Sequence, residues 1–132
     1  MEESEKKYKI IIVDDDDFLV DMYATKFGLS GASVDACKSG KSLLEKLQAG
    51  EVVDLILLDI VMPDINGVEL LKKIREEKLA DKIPVVMLTN QNDEKDVSEA
   101  KKLGVAGYIV KSAATPSEVV AETINIIKNS QK

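Results

Sequence analysis

Residues 53–67 read VDLILLDIVMPDING. Apart from Asp54 the first six are apolar, without strict alternation, so the stretch predicts a strand buried on both faces, as in a parallel sheet covered by helices. The run ends on Asp59, and four residues later Pro63 opens a Pro/Asp/Asn/Gly loop. A carboxylate is thereby set at the carboxyl edge of a central strand, where open α/β sheets bind ligands.

Outward from this strand the pattern alternates. Upstream, Lys9 to Val13 (KIIIV) predicts a first strand, followed at once by four aspartates, Asp14 to Asp17. Four like charges require compensation, and Asp16 or Asp17 is placed to cap the next helix. That helix, from Asp17 to Phe27, is expected to bury Phe18, Leu19, Met22, Tyr23 and Phe27. Ser33 to Ala36 predict a second strand, and Gly40 and Gly50 bracket a short helix through Leu43, Leu44 and Leu47. Downstream, a helix from Gly67 to Glu77 turns Val68, Leu70, Leu71 and Ile74 inward. Residues 85–89, VVMLT, form a fourth strand ending on Thr89. A helix from Glu94 to Leu103 offers a thin apolar face of Val97, Ala100 and Leu103, which suits a moving part. Tyr108 to Lys111 (YIVK) form the fifth strand. Thr115, Pro116 and Glu118 then supply a cap, a first-position proline and a capping-box glutamate for a last helix carrying Val119, Val120, Ile124 and Ile127. Five strands alternating with five helices predict a doubly wound (βα)5 α/β sandwich whose parallel sheet has the order 2-1-3-4-5. The expected divisions are a polar tail over 1–8, one domain over 9–128 and a short tail over 129–132.

At 132 residues and 45% hydrophobic, the chain fits a single core burying about two thirds of its unfolded surface. A net charge of −6 argues against direct nucleic-acid binding, which needs clustered positive charge. One cysteine, Cys37, excludes an internal disulfide. The absence of histidine excludes a serine-histidine triad and a histidine base, and leaves oxygen atoms to hold any metal. MEESEKK at the start has no apolar core of a signal peptide, and no stretch approaches the roughly 20 apolar residues of a membrane span. The reading is a cytoplasmic protein without membrane insertion.

Four of the five predicted strands end in polar residues their interiors do not need: Asp14 and Asp15, Asp59, Thr89, and Lys111. In the order 2-1-3-4-5 these ends converge. Three carboxylates together raise one another's pKa unless a cation neutralises them, and an all-oxygen cluster with room for water suits Mg2+. Phosphoryl transfer needs a nucleophile in line with phosphorus and cations over the oxygens that gain charge. Asp59, alone at the end of the central strand, is the best nucleophile, and the adjacent Asp14 and Asp15 suit a metal.

In this order and spacing, IIIVDDDD (10–17), LILLDIVMPDINGVELL (55–71), VVMLT (85–89) and GYIVK (107–111) resemble the receiver domain of bacterial two-component response regulators, of the single-domain, chemotaxis-regulator-like kind with a flavodoxin-like fold. The resemblance covers about Lys9 to Lys128. It implies that Asp59 accepts a phosphoryl group from a histidine kinase or histidine phosphotransfer protein. It also implies that Asp15 binds Mg2+ directly, Asp14 through water and Val61 through its carbonyl, with Thr89 and Lys111 as the site's hydroxyl and lysine. By the same resemblance Thr89 and Tyr108 form a switch, with the ring moving in from solvent, that reshapes the face of the fourth helix, fifth strand and fifth helix. That face would meet a downstream protein or a second phosphorylated copy. The implied role is a signalling phosphoacceptor that takes part in its own phosphoryl transfer and autodephosphorylation, not an enzyme with a separate substrate.

Two residues depart from the family pattern. Its lysine is usually followed by proline, commonly through a cis bond, where this chain has Ser112, and a non-proline cis bond costs about 2.5–4 kcal/mol. A small residue often follows its hydroxyl, where this chain has Asn90. Two other readings stand beside this one. IIIVDDDD also fits a haloacid-dehalogenase-type phosphatase, with Asp14 as nucleophile and Asp16 as acid-base, but that leaves Asp59 unexplained and lacks a later acidic pair for metal. A receiver-like adaptor that is not phosphorylated is the other. The chain reads as a complete single-domain regulator or as a receiver from a longer protein.

Overall fold

A computed structural model describes residues 8–131; the greater part of the predicted N-terminal tail lies outside them. The elements alternate throughout: β1 (Tyr8–Val13), α1 (Asp17–Leu29), β2 (Ala32–Cys37), α2 (Gly40–Gln48), β3 (Leu55–Leu58), α3 (Gly67–Glu76), β4 (Val85–Thr89), α4 (Glu94–Lys102), β5 (Gly107–Val110) and α5 (Pro116–Ser130). The strands form one parallel sheet of order β2-β1-β3-β4-β5, as the sequence predicts.

The run at 55–58 is apolar at every position because both faces of β3 are covered. Ile56 and Leu58 join Ile11, Val13, Val85 and Met87 in a core closed by Leu43 of α2, Leu70, Leu71 and Ile74 of α3, and Ala100 of α4. Leu55 and Leu57 join Ile10, Ile12, Val86 and Ile109 in a second core closed by Val20, Tyr23 and Phe27 of α1 and Val119 and Ile127 of α5. Successive side chains of a strand point to opposite faces, so each central strand feeds both layers. β1 begins at Tyr8, one residue before the expected start, and Tyr8 is buried.

α1 corrects one expectation. Phe18 is 78% exposed, and Val20, Tyr23 and Phe27 take the buried positions. The Asp16 side chain caps the helix by accepting from the Leu19 N–H at 3.2 Å, which starts the helical turn there. Phe18, Leu19 and Val20 are consecutive and cannot share one face at 3.6 residues per turn. In α5 the expected capping box and first-position proline are present, but Thr123 is fully buried and Ile124 only half-buried.

The loop after β3 is tied down at both ends. Asn66 caps α3, its carboxamide oxygen accepting from Val68 N–H at 2.8 Å. Asp64 reaches sideways to α2, accepting from the N–H groups of Gly40 at 3.1 Å and Lys41 at 3.0 Å. Helix N-termini leave such donors unpaired and favour negative charge. A Cβ on Gly67 would lie 2.1 Å from the Asp59 carbonyl oxygen and 2.7 Å from the Ile60 Cα. The first turn of α3 can therefore rest against the backbone of Asp59 only with glycine there.

Replacing Asp64 with alanine is expected to lower unfolding free energy by about 0.5–1 kcal/mol at neutral pH, the modest end of capping effects. The Gly40 and Lys41 amides hold the Asp64 carboxyl below its ordinary 3.8. A depressed folded value means that the stabilisation is complete above 3.8 and lost as pH falls through the lower folded value. Urea unfolding of both proteins from neutral to acid pH checks this, and a gap independent of pH would refute the cap.

Candidate functional site

The register of the sheet assembles the site. Val13 pairs with Leu58, so the next residues, Asp14 and Asp59, leave adjacent central strands side by side, and the Asp59 N–H donates to the Val13 carbonyl at 3.1 Å. Across β3, Leu58 pairs with Met87, and Thr89 closes β4 opposite Val110. Lys111, the next residue, starts a 3-10 turn over Lys111–Ala113, not the last position of β5 as expected. No peptide bond among the described residues is cis.

All six residues predicted for the site, Asp14, Asp15, Asp59, Val61, Thr89 and Lys111, line one cleft of about 260 Å3. Asp14, Asp59 and Thr89 are buried, whereas Asp15 and Val61 are exposed. The Lys111 ammonium lies between the two buried carboxylates, donating to Asp14 Oδ2 at 2.6 Å and Asp59 Oδ2 at 3.1 Å. Asp14 Oδ1 accepts from Asp16 N–H at 3.0 Å, and Asp59 Oδ1 from its neighbour Ile60 N–H at 2.7 Å. Each buried carboxylate thus has partners on both oxygens, the condition for charges to persist out of water.

Burial raises the Asp14 carboxyl above its ordinary range, and the Lys111 hydrogen bond offsets this only in part. For Lys111 burial works against the charged form, but the hydrogen bond to Asp14 and the charges of Asp59 and Asp14 outweigh it and hold the ammonium above its ordinary value. The lysine therefore stays charged, and the pocket still holds more negative charge than one ammonium cancels. One carboxylate oxygen each from Asp14, Asp15 and Asp59 lie within 4.8 Å of one another. Three hard oxygen donors, two buried and one exposed to water, fit a small divalent cation that keeps part of its hydration shell.

The β4–α4 loop covers one side of the cleft through Asn90 and Gln91. Thr89 Oγ1 accepts from Gln91 N–H at 3.2 Å, Asn90 Oδ1 accepts from Ser112 N–H at 2.9 Å, and the Tyr108 hydroxyl donates to the Gln91 carbonyl. The Tyr108 ring, expected to start from solvent, is half-buried against the α3/α4-side core. In the sequence Asn90 and Ser112 are only departures from the family pattern; that they touch depends on loops 22 residues apart.

Comparison with known proteins agrees with this geometry. Residues 10–123 match the family model described as the response regulator receiver domain. The chain is 34% identical over 123 residues to the response regulator SaeR of Staphylococcus aureus, a match covering 93% of this chain and 52% of that protein, so it spans about half the length of that relative. Among solved structures, it resembles a CheY-like receiver domain protein from Methanospirillum hungatei, with TM-score 0.85, 26% identity and coverage of 97% of this chain and 98% of that one. It also resembles the chemotaxis protein CheY4 of Vibrio cholerae, with TM-score 0.79, 26% identity and coverage of 90% and 98%.

The held position of Tyr108 has a spectroscopic consequence. Burial, then the charges of Asp96 and Asp93, push its phenol up to about 12 from an ordinary 10.0. A raised folded value favours the neutral phenol in the fold, so this stabilisation is complete below 10.0 and lost as pH rises through about 12. Alkaline ultraviolet titration should show a phenolate step near 12 that Tyr108→Phe removes. A Tyr108 step at the ordinary value would mean a solvated ring.

Proposed function

The chain belongs to the response regulator receiver family, and from that footing we propose that Asp59 is its phosphoacceptor. The observation that carries the proposal is the Lys111 ammonium bridging Asp59 and Asp14 in the cleft that also holds Asp15 and Thr89. An oxygen of Asp59 attacks the phosphorus of a phosphohistidine. The P–N bond breaks with its electron pair leaving on the imidazole nitrogen, which takes a proton from solvent, and Asp59 becomes an acyl phosphate. Lys111 turns from the Asp59 carboxylate to an equatorial phosphoryl oxygen, and the Thr89 hydroxyl donates to another. Asp14, Asp15, Asp59 and the Val61 carbonyl would hold Mg2+, which would supply positive charge to offset that of the transferred group. On this reading Asp14 is a metal ligand, and the phosphatase mechanism with Asp14 as nucleophile is not favoured, because it leaves Asp59 idle.

Features of the surface support a reading of donor and target. Phe18, 78% exposed on the first turn of α1, adjoins Leu19, which lines the cleft with the 59% exposed Val61. Exposed aromatic and aliphatic groups beside a reacting centre suit a helical histidine donor, a kinase or a phosphotransfer protein. The output face is that of α4, β5 and α5, where α4 buries only Ala100 and can shift at modest cost. It would engage a downstream protein or a second phosphorylated copy, in the cytoplasm. No helix among the described residues is long and apolar enough to cross a membrane.

Intact mass after incubation with acetyl phosphate and Mg2+ tests the acceptor. Wild type should gain one phosphoryl group, lost with chelator and absent from Asp59→Ala; a gain retained by Asp59→Ala would overturn the assignment. Phe18→Ala is expected to slow transfer from a phosphorylated histidine phosphotransfer protein that charges the wild type by about tenfold, the scale of an aromatic interface anchor. Its charging by acetyl phosphate should remain within about twofold of wild type. Equal slowing with both donors would place Phe18 in the site's structure and not in docking.

A further inference from the structure

The two residues that depart from the receiver pattern touch each other. Asn90 follows Thr89 and Ser112 follows Lys111, and the Asn90 carboxamide oxygen accepts from the Ser112 N–H at 2.9 Å. This hydrogen bond joins the β4–α4 loop to the 3-10 turn after β5 at the mouth of the cleft, one residue beyond each of the two groups that would grip a phosphoryl. Asn90 itself lines the cleft and is exposed, so its carboxamide is not needed to fill a core. The donor is a main-chain N–H that a proline at 112 would lack, and the acceptor is an atom that a small residue at 90 would lack. Each departure supplies the half that the other needs.

We propose that the Asn90–Ser112 pair is a positioning clip that fixes the orientation of the Thr89 and Lys111 side chains before a phosphoryl group arrives. The proposal rests on the phosphoacceptor reading of Asp59. Without the clip, Thr89 stays opposite Val110 in the β4–β5 pairing, the Tyr108 hydroxyl still joins β5 to the Gln91 carbonyl, and the Gln91 N–H stays on Thr89. The turn that begins at Lys111 keeps the ammonium's contacts to Asp14 and Asp59. The two strands therefore stay joined as far as Thr89 and Val110; what is lost is the tie beyond them, between Asn90 and Ser112. The loss is thus in the fine orientation of two phosphoryl-binding side chains, to which transfer rates are sensitive. Asn90 and Ser112 act through Thr89 and Lys111 and are positioning residues.

The test is a double-mutant cycle. Asn90→Ala removes the acceptor, Ser112→Pro removes the donor, and Ser112→Ala keeps the backbone donor while deleting the side chain. With acetyl phosphate and Mg2+, Asn90→Ala and Ser112→Pro should each slow phosphorylation of Asp59 about threefold to tenfold, the range of one hydrogen bond. Ser112→Ala should match wild type, and adding Asn90→Ala to Ser112→Pro should cost nothing more. Amide hydrogen exchange at Ser112, followed by NMR on protein without donor or metal, should accelerate in Asn90→Ala. Unchanged rates in Asn90→Ala, or full additivity with Ser112→Pro, would overturn the positioning role. Where Ser112→Pro does not fold, slowing by Asn90→Ala beside a wild-type rate in Ser112→Ala decides in favour, and equal slowing in both decides against. If wild type takes no phosphoryl group at Asp59, the phosphoacceptor reading fails and the positioning role with it, and Ser112 exchange then shows separately whether the hydrogen bond forms.

Discussion

Two carboxylates buried at the ends of adjacent strands share one ammonium. The rest of this molecule is arranged so that this arrangement is tolerable. Removing a carboxylate from water costs several kcal/mol even after relaxation, and Asp14 and Asp59 leave the two central strands at the same level. Lys111 is held above its ordinary range by their hydrogen bonds and charges, so it remains a fixed cation. It does not fully offset the burial of Asp14, whose carboxyl is still raised. One ammonium thus faces three clustered carboxyl groups, those of Asp14, Asp15 and Asp59, an oxygen donor set that fits a small divalent cation.

Around this centre the backbone is pinned from several sides. Gly67 lets α3 lie against the Asp59 carbonyl, Asp64 ties the following loop to the start of α2, and Asn66 caps α3. On the opposite wall the β4–α4 loop is held by Tyr108 and Ser112. The two walls differ in what lies behind them. α3 buries Val68, Leu70, Leu71 and Ile74, whereas α4 buries Ala100 alone. α3 is thus anchored by more apolar surface than α4, and the α4 side has less to lose in a local displacement.

Much of this was legible in the residues. Unbroken apolar runs at 10–13, 55–58 and 85–88 can be satisfied only by strands covered on both faces, and that reading led to the sheet order and to Asp14, Asp59, Thr89 and Lys111 at one edge. The capping signals at Thr115 and at Asp16 or Asp17 are local, and the structure carries them, with Asp16 taking the first cap. Phe18 was misplaced because three consecutive apolar residues open α1 and spacing alone does not say which of them faces the sheet; the Asp16 cap decides that. The family resemblance starts the Tyr108 ring in solvent, and no local pattern of residues marks the β4–α4 loop that half-covers it here.

What the sequence by itself determined is the layer architecture and the inventory of the site. The architecture follows from periodicity, and Asp14, Asp15, Asp59, Thr89 and Lys111 from polar residues at the ends of apolar strands, which are properties of contiguous chain, whereas Val61 enters through the family resemblance. What only the tertiary structure decided are the contacts between loops distant in sequence: Lys111 bridging Asp14 across 97 residues and Asp59 across 52, and Asn90 meeting Ser112. Such contacts depend on strand register, twist and loop path. A hydrogen bond is made or lost within a few tenths of an ångström, a distance that no local pattern of residue types encodes.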